Sequence, residues 1–290
     1  MAHAATNDYY IPHGSHWPIL GSIGLSTLLG GFSAYLNGSD TGFSIMLVGL
    51  AITVVMMFGW FGTVINESES GTYNDQVDIS FRYGMSWFIL SEVMFFAAFF
   101  GALFYARVLS VPWLAGVDAY SLPTNELLWS GFEGIWPTNG PAGIGGTFEV
   151  MGAWGLPALN TIILLTSGVT VTIAHWGLKE NNRTKLVLGL LATVALGFLF
   201  VGLQAVEYMH AYQEMNLTLG SGIYGSTFFM LTGFHGFHVT VGAIILTVIL
   251  FRSMKGHFTP EHHFGFEGAA WYWHFVDVVW LGLFIFVYWL

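Results

Sequence analysis

Long apolar runs, separated by shorter polar segments, dominate this sequence. A helix needs roughly 20 apolar residues to cross about 30 Å of hydrocarbon. Runs of that length predict seven transmembrane helices, so the pattern is that of an all-α membrane protein. The predicted spans are residues 17–36, 43–66, 81–108, 154–177, 186–211, 225–252 and 268–290.

The polar segments predict how these spans are grouped. Only a short NGSDTG turn joins the first two spans, whereas the polar stretch NESESGTYNDQVD precedes the third. We therefore predict a two-helix hairpin over residues 17–66, a cytoplasmic linker over 67–80 and a five-helix bundle over 81–290. Residues 1–16 are a predicted N-terminal cytoplasmic tail. The tail lacks the apolar core of a signal peptide, so we expect it to persist in the mature chain.

The basic residues predict the orientation of the chain in the membrane. Loops rich in Lys and Arg stay on the cytoplasmic side. This rule places the N-terminus inside and the C-terminus outside, with loop 109–153 external. That loop is rich in Gly, Pro and Trp, and it is either a lid or docking surface or a simple connection. The basic residues on the predicted cytoplasmic side are Arg82, Lys179, Arg183, Lys185, Arg252 and Lys255.

Composition restricts the chemistry that the chain can perform. Hydrophobic residues make up 54% of the sequence and charged residues only 8%, which excludes an ordinary soluble domain. The formal net charge is -10, but the acidic residues are spread over loops, and nothing indicates a nucleic-acid partner. Because the chain has no cysteine, disulfides and thiolate metal sites are excluded.

Glu92 is the clearest candidate for a functional residue, because it falls near the middle of the third span. Hydrocarbon disfavours the ionised carboxylate, so we expect Glu92 to be neutral or hydrogen-bonded by a neighbour such as a buried His. A proton-relay carboxylate and a structural carboxylic acid both fit this position. The sequence leaves both interpretations open.

The sixth and seventh spans carry further ionisable residues within apolar sequence, and we expect them, like Glu92, to be buried polar or proton-related groups. His235 and His238 lie one turn apart, and His274 and Asp277 are three residues apart on one predicted helical face. The four side chains can be imagined as metal ligands, but a buried neutral His more often hydrogen-bonds a carbonyl or a carboxylate, so hydrogen bonding within the bundle is the favoured interpretation. Glu207 lies near the outer end of the fifth span, where it is expected to cap a loop network with His210 and Tyr212.

Arg82 and Arg252 are predicted at the same membrane face. They are either orientation anchors or ligands for the phosphates of anionic lipids, with Trp60 and Phe81 as contacts for the lipid tails.

Several motifs together resemble subunit III of the haem-copper cytochrome c oxidases, in its full seven-helix form. These motifs are RYGMSWFILSEVMFF, GSGIYGSTFFMLTGFHGFHV and HHFGFEGAAWYWHFVDVVW. The resemblance implies that the hairpin and the bundle enclose a lipid-filled cleft and that the chain packs against subunit I near a proton-uptake channel, with subunit II in the same complex. It also implies an accessory subunit with no catalytic residue and no metal of its own. Haem and copper then belong to partner subunits, and cytochrome c is the electron donor.

The resemblance bears on individual residues as well. Glu92 occupies the position of a glutamate that faces the catalytic core in that family. Glu67 belongs to the pair that ends the second helix beside lipid headgroups, but Asn66 precedes it where the family often has a basic residue. Loop 109–153 is longer than in the mitochondrial form, which indicates a bacterial inner-membrane enzyme.

Two alternatives remain at this point. One is subunit III of a related quinol oxidase. The other is an independent membrane transporter whose path uses Glu92, His235, His238 and Asp277.

Overall fold

The computed structural model describes residues 13–290, which are helical throughout apart from loops and turns. Seven helical segments in this part of the chain are long and apolar enough to cross a membrane, so the prediction of an all-α protein with seven spans is confirmed. Residues 1–12 of the predicted N-terminal tail lie outside the described residues. The helices are α1 (Trp17–Leu36), α2 (Gly42–Glu69), α3 (Asp75–Phe104), α4 (Val111–Leu114), α5 (Leu122–Leu128), α6 (Leu156–Lys179), α7 (Arg183–Gln213), α8 (Gly222–Lys255) and α9 (Phe264–Leu283).

Several helices extend beyond the predicted spans into polar sequence. α2 continues to Glu69 and α3 begins at Asp75, so the prediction of a linker over 67–80 is wrong, and only residues 70–74 lie outside a helix there. The acidic side chains Asp75 and Asp78 lie in the first turn of α3, where their negative charge interacts favourably with the positive end of the helix dipole. Hydropathy detects only the part of a helix that lies in hydrocarbon. The polar ends of α2 and α3 lie beyond that part, so the apolar pattern did not include them.

Part of the segment predicted as loop 109–153 is helical. After α3 the chain continues through a π-helical segment, Tyr105–Ser110, into α4, so the first residues of loop 109–153 are helical. The Asn125 side-chain amide donates to the carbonyls of Leu114, Trp129 and Phe132 at 3.0–3.2 Å. One amide thereby fixes three segments of this loop.

The chain divides into two compact units, residues 1–81 and 82–290. In the described part of the first unit, α1 and α2 form an antiparallel hairpin with very close backbones. A methyl group added at Gly31 would collide with the backbone of Met46, and one added at Gly49 with that of Leu28. Small residues allow this approach where lipid removes the hydrophobic drive for association. The Trp17 indole donates to Thr63 Oγ1 at 3.0 Å and joins the other ends of the two helices.

The second unit contains a buried core to which α6, α7, α8 and α9 contribute. Its largest fully buried side chains include Trp273, Trp280 and Phe200. Both indoles also form directional bonds to α6: Trp273 Nε1 donates to Ser167 Oγ and Trp280 Nε1 to Thr161 Oγ1, each at 2.9 Å. This core holds the polar residues described next.

Candidate functional site

Glu92 and His238 form a polar pair between α3 and α8. His238 Nε2 lies 2.9 Å from Glu92 Oε2, and the other ring nitrogen, Nδ1, lies 2.6 Å from the Phe234 carbonyl oxygen. The Phe95 and Phe96 rings contact the imidazole. Both partners are largely shielded, with 10% of the His238 side chain and 21% of the Glu92 side chain exposed. The sequence suggested a buried His as a partner for Glu92, and the structure places His238 there.

The hydrogen bonds of His238 restrict where its protons lie. A carbonyl oxygen only accepts, so the bond to Phe234 requires a proton on Nδ1. In the neutral ring, Nε2 is then an acceptor, and Glu92 must be the protonated donor. In the charged ring, Nε2 donates to a Glu92 carboxylate. Both arrangements hold one proton between Nε2 and Oε2, so the pair can exchange between them by moving that proton across one short bond.

His235 lies apart from this pair although it is only one turn away on α8. Its Nε2 donates to the Val276 carbonyl oxygen at 3.2 Å, and its ring lies against Trp280 with centroids 5.0 Å apart. His235 is fully buried. It therefore acts as a hydrogen-bonding link between α8 and α9.

Asp277 is buried against α6, next to Gly168, where a side chain would collide with its carboxylate. His274 Nδ1 lies 3.6 Å from Asp277 Oδ2, but 47% of the His274 side chain is exposed. The prediction that His274 is buried is therefore wrong. A spacing of three residues leaves two side chains about 60° apart around a helix axis, so one can face the core while the other lies at its edge.

These placements separate the side chains that the sequence offered as a metal cluster. His238 binds Glu92, His235 binds Val276, and His274 and Asp277 face α6. Among residues 13–290, no group of three or more His, Asp or Glu side chains is arranged to hold a metal ion.

Glu207 forms a buried polar cluster that the sequence did not predict. Tyr288 donates to Glu207 Oε1 at 2.6 Å, and Gln204 Nε2 donates to the same oxygen at 3.2 Å. Only 1% of Glu207 is exposed, so its predicted role in a surface loop network with His210 and Tyr212 is wrong. His210 instead pairs with Glu214. The spacing of three residues places Gln204 and Glu207 on one side of α7, whereas Tyr288 comes from the far end of the chain.

The two arginines of the predicted lipid site both lie at the beginning of α9. Arg82 Nη1 is 2.7 Å from Glu267 Oε2, and its guanidinium lies over the Phe264 ring. The Arg252 guanidinium lies over the Phe258 ring with 4.5 Å to the centroid. It is also next to Gly265, because a Cβ added there would be 3.1 Å from Arg252 Nη1. Within the second unit, these contacts bring Arg82 and Arg252 to one end of the same helix.

The other predicted lipid residues belong to the first unit. Trp60 is half exposed on α2. Glu67 accepts a hydrogen bond from the Tyr73 hydroxyl at 2.7 Å, and the Phe81 ring packs edge-on against Tyr73 at 5.3 Å. Tyr73 thus links Glu67 and Phe81, a contact that the sequence did not predict.

Comparison with known proteins agrees with this architecture. The family model described as "Cytochrome c oxidase subunit III" matches residues 7–290. Proteins named "Cytochrome c oxidase subunit 3" from Marchantia polymorpha and Pongo abelii are each 43% identical to the chain. The alignments cover 100% of this chain and 98% and 99% of those proteins, respectively. The protein of the same name from Arabidopsis thaliana is 42% identical over the same span. With these matches along its full length, and with seven membrane-length helices, the chain belongs to the cytochrome c oxidase subunit III family.

Proposed function

We propose that this chain is the accessory subunit III of a proton-pumping cytochrome c oxidase. In this role it packs against subunit I, in a complex that also contains subunit II and takes electrons from cytochrome c. It sustains proton uptake and protects the catalytic subunit during turnover without carrying out redox chemistry itself. The names of its full-length relatives support membership of such a complex.

The observation that carries the proposal is the hydrogen bond between Glu92 and His238, in which the two side chains share one proton. A carboxyl and an imidazole that share one proton between two transmembrane helices can accept or release a proton with little movement of the protein. An accessory role in proton supply needs such groups and needs no redox centre. The chain has no cysteine, and residues 13–290 contain no group of three metal-ligating side chains, which fits haem and copper being held by partner subunits.

Structural phospholipid is the second part of the proposal. Arg82 and Arg252 offer two guanidinium groups at the first turn of α9, beside the rings of Phe264 and Phe258. Paired guanidinium groups suit an anionic phosphate, and aromatic rings suit the region just below the headgroups. In this proposal Trp60, Glu67 and Phe81 contact the lipids that fill the cleft.

The proposed setting is the inner membrane of a bacterium, with the N-terminus in the cytoplasm and the C-terminus in the periplasm. The chain is a multi-pass membrane protein. The basic residues at the ends of α6 and α8 and the start of α7 support the orientation, because these loops are expected to remain cytoplasmic.

Removal of the chain from the purified complex tests the proposed function. We expect the haem spectrum and the initial rate of oxygen reduction to stay close to those of the complete complex. Activity should then decay faster with successive turnovers, and proton pumping should weaken, because slow proton delivery prolongs reactive oxygen intermediates at the catalytic metals. Rebinding of the chain should restore durability.

Four results would contradict the proposal. Loss of a haem band on removal would show that the chain binds a cofactor. Unchanged activity and durability would exclude a supporting role in turnover. Purification without any haem-bearing partner would favour an independent transporter, and oxidation of quinol rather than cytochrome c would place the chain in a quinol oxidase.

A further inference from the structure

Two histidines outside the Glu92–His238 pair face each other at one end of the second unit. His175 lies in the last turns of α6, and His263 immediately precedes α9. Their Nε2 atoms are 3.3 Å apart, and both side chains are partly exposed. The sequence offered no reason to join them, because 88 residues separate them.

The distance between these two nitrogens matches the distance between two ligand atoms of a tetrahedral zinc site. Zinc binds imidazole nitrogen at about 2.0–2.1 Å with tetrahedral angles, which places two such ligands about 3.3–3.4 Å apart. His263 Nδ1 lies 3.1 Å from the Thr259 carbonyl oxygen and donates to it. That bond leaves the lone pair of Nε2 directed toward His175 in the neutral ring, where it accepts a hydrogen bond from His175 Nε2. A metal ion that binds both nitrogens replaces this hydrogen bond, and the proton of His175 moves to its Nδ1 or to solvent. A ligand histidine is commonly oriented by such a bond from its other nitrogen.

Charged groups of both signs lie near the pair. Glu267 lies one helical turn after His263, and both Glu267 and Lys179 are close enough to His175 for their charges to interact with it. Glu267 also pairs with Arg82. In the described residues no third His, Asp or Glu completes a ligand set with the two imidazoles, so water would occupy the remaining positions. Such a site binds a metal reversibly, in contrast to a closed structural site with four protein ligands.

We propose that His175 and His263 form a reversible binding site for a borderline divalent transition-metal ion, with Zn²⁺ as the representative ligand. A bound ion would join the segment between α8 and α9 to the end of α6. The site lies next to Arg82 and Glu267, so the ion would stiffen the beginning of α9. This inference does not depend on the proposed function.

Zinc binding to the full chain, purified in detergent with the subunits that accompany it, tests the site. After removal of metal with a chelator, Zn²⁺ is added and bound metal is measured by competition with a chromophoric chelator. We expect His175→Gln and His263→Gln each to lose one equivalent of zinc per chain or to weaken its binding more than about tenfold. The variant His210→Gln is the matched control, because His210 is exposed and pairs with Glu214 at the other end of α7. It should bind as the unaltered chain does.

Zinc X-ray absorption provides a readout that does not depend on these substitutions. The difference between the unaltered chain and His263→Gln should show two imidazoles and two oxygen ligands at tetrahedral distances. Equal zinc stoichiometry and affinity in the unaltered chain and both Gln variants would overturn the proposal. So would a difference spectrum without imidazole, or loss of the same equivalent in His210→Gln. Circular dichroism and retention of partner subunits show whether each variant is folded.

Discussion

Glu92 Oε2 and His238 Nε2, 2.9 Å apart, join the middle of α3 to α8 through a side-chain hydrogen bond. The bond lies among aromatic rings, where water cannot readily replace either partner. The pair therefore has two roles: it links α3 to α8, and it can exchange a proton. Substitutions at Glu92 distinguish the two roles.

Glu92→Gln should assemble better than Glu92→Ala. A glutamine amide can still donate to His238 Nε2, whereas alanine leaves a cavity and a shielded nitrogen without its partner. The unpaired nitrogen alone costs about 1–3 kcal/mol. The measurement is the amount of folded chain retained in the purified complex, together with its thermal unfolding midpoint. Proton uptake in the Gln variant then reports the chemical role, because Gln cannot exchange a proton with His238. Normal assembly and normal uptake in both variants would show that neither role matters.

Tyr288→Phe should destabilise the second unit, because it removes the 2.6 Å donor to a buried Glu207. We expect a loss of about 1–3 kcal/mol, the usual penalty for a buried group that loses its partner. Thermal unfolding measures this effect. Tyr120→Phe is the control, because Tyr120 is 87% exposed and should tolerate the change. Equal stability of the two variants would mean that the Glu207 cluster contributes nothing.

Gly31→Ala and Gly30→Ala should behave very differently although the residues are neighbours. A Cβ at position 31 collides with the backbone of Met46, whereas one at position 30 meets no atom within 4 Å. Forced separation of α1 and α2 should cost about 1–3 kcal/mol. Limited proteolysis of the α1–α2 turn in detergent compares the two variants. Similar cleavage rates would show that the hairpin does not require close backbone contact.

Replacement of both Arg82 and Arg252 by Ala should lower the number of phospholipids that remain bound after purification. The two guanidinium groups lie at the beginning of α9, where their loss removes the charge that attracts phosphate. Native mass spectrometry counts the lipids. Arg107→Ala is the charge-matched control, since Arg107 donates to the Leu290 carbonyl beyond the other end of α9. Unchanged lipid number in the double variant would leave the two arginines as orientation anchors.

Reporter fusions test the predicted orientation. Fusions at residues 181 and 257 should report a cytoplasmic location, because basic residues surround both positions, and a fusion at residue 130 should report an external one. An external signal at residue 181 would reverse the orientation.

The sequence predicted the seven spans because each needs a long apolar run, and it located α1 to the residue. It missed the polar ends of α2 and α3, since the apolar-length criterion describes only the portion of a helix in hydrocarbon. Glu92 was recognisable because a carboxylate in mid-membrane is costly wherever its partner lies.

Partners distant in the chain could not be predicted in the same way. Tyr288 is 81 residues from Glu207, and Tyr appears near membrane boundaries for many reasons. His274 and Asp277 were predicted to share one buried face, but their placement depends on how α9 is rotated against α6. That rotation depends on packing between helices, which no local pattern contains.

The two indole bonds between α9 and α6 determine that rotation. Trp273 and Trp280 are separated by two turns of α9, and their acceptors, Ser167 and Thr161, lie in the reverse order along α6. If α9 slid by one turn, about 5.4 Å, or rotated by one residue, both donors would lose their acceptors together. Apolar surfaces in lipid permit such sliding, because every register buries similar area. The two tryptophans can therefore form both hydrogen bonds in only one register of α9 against α6. This register also fixes the position of Asp277 and of the Val276 carbonyl that binds His235.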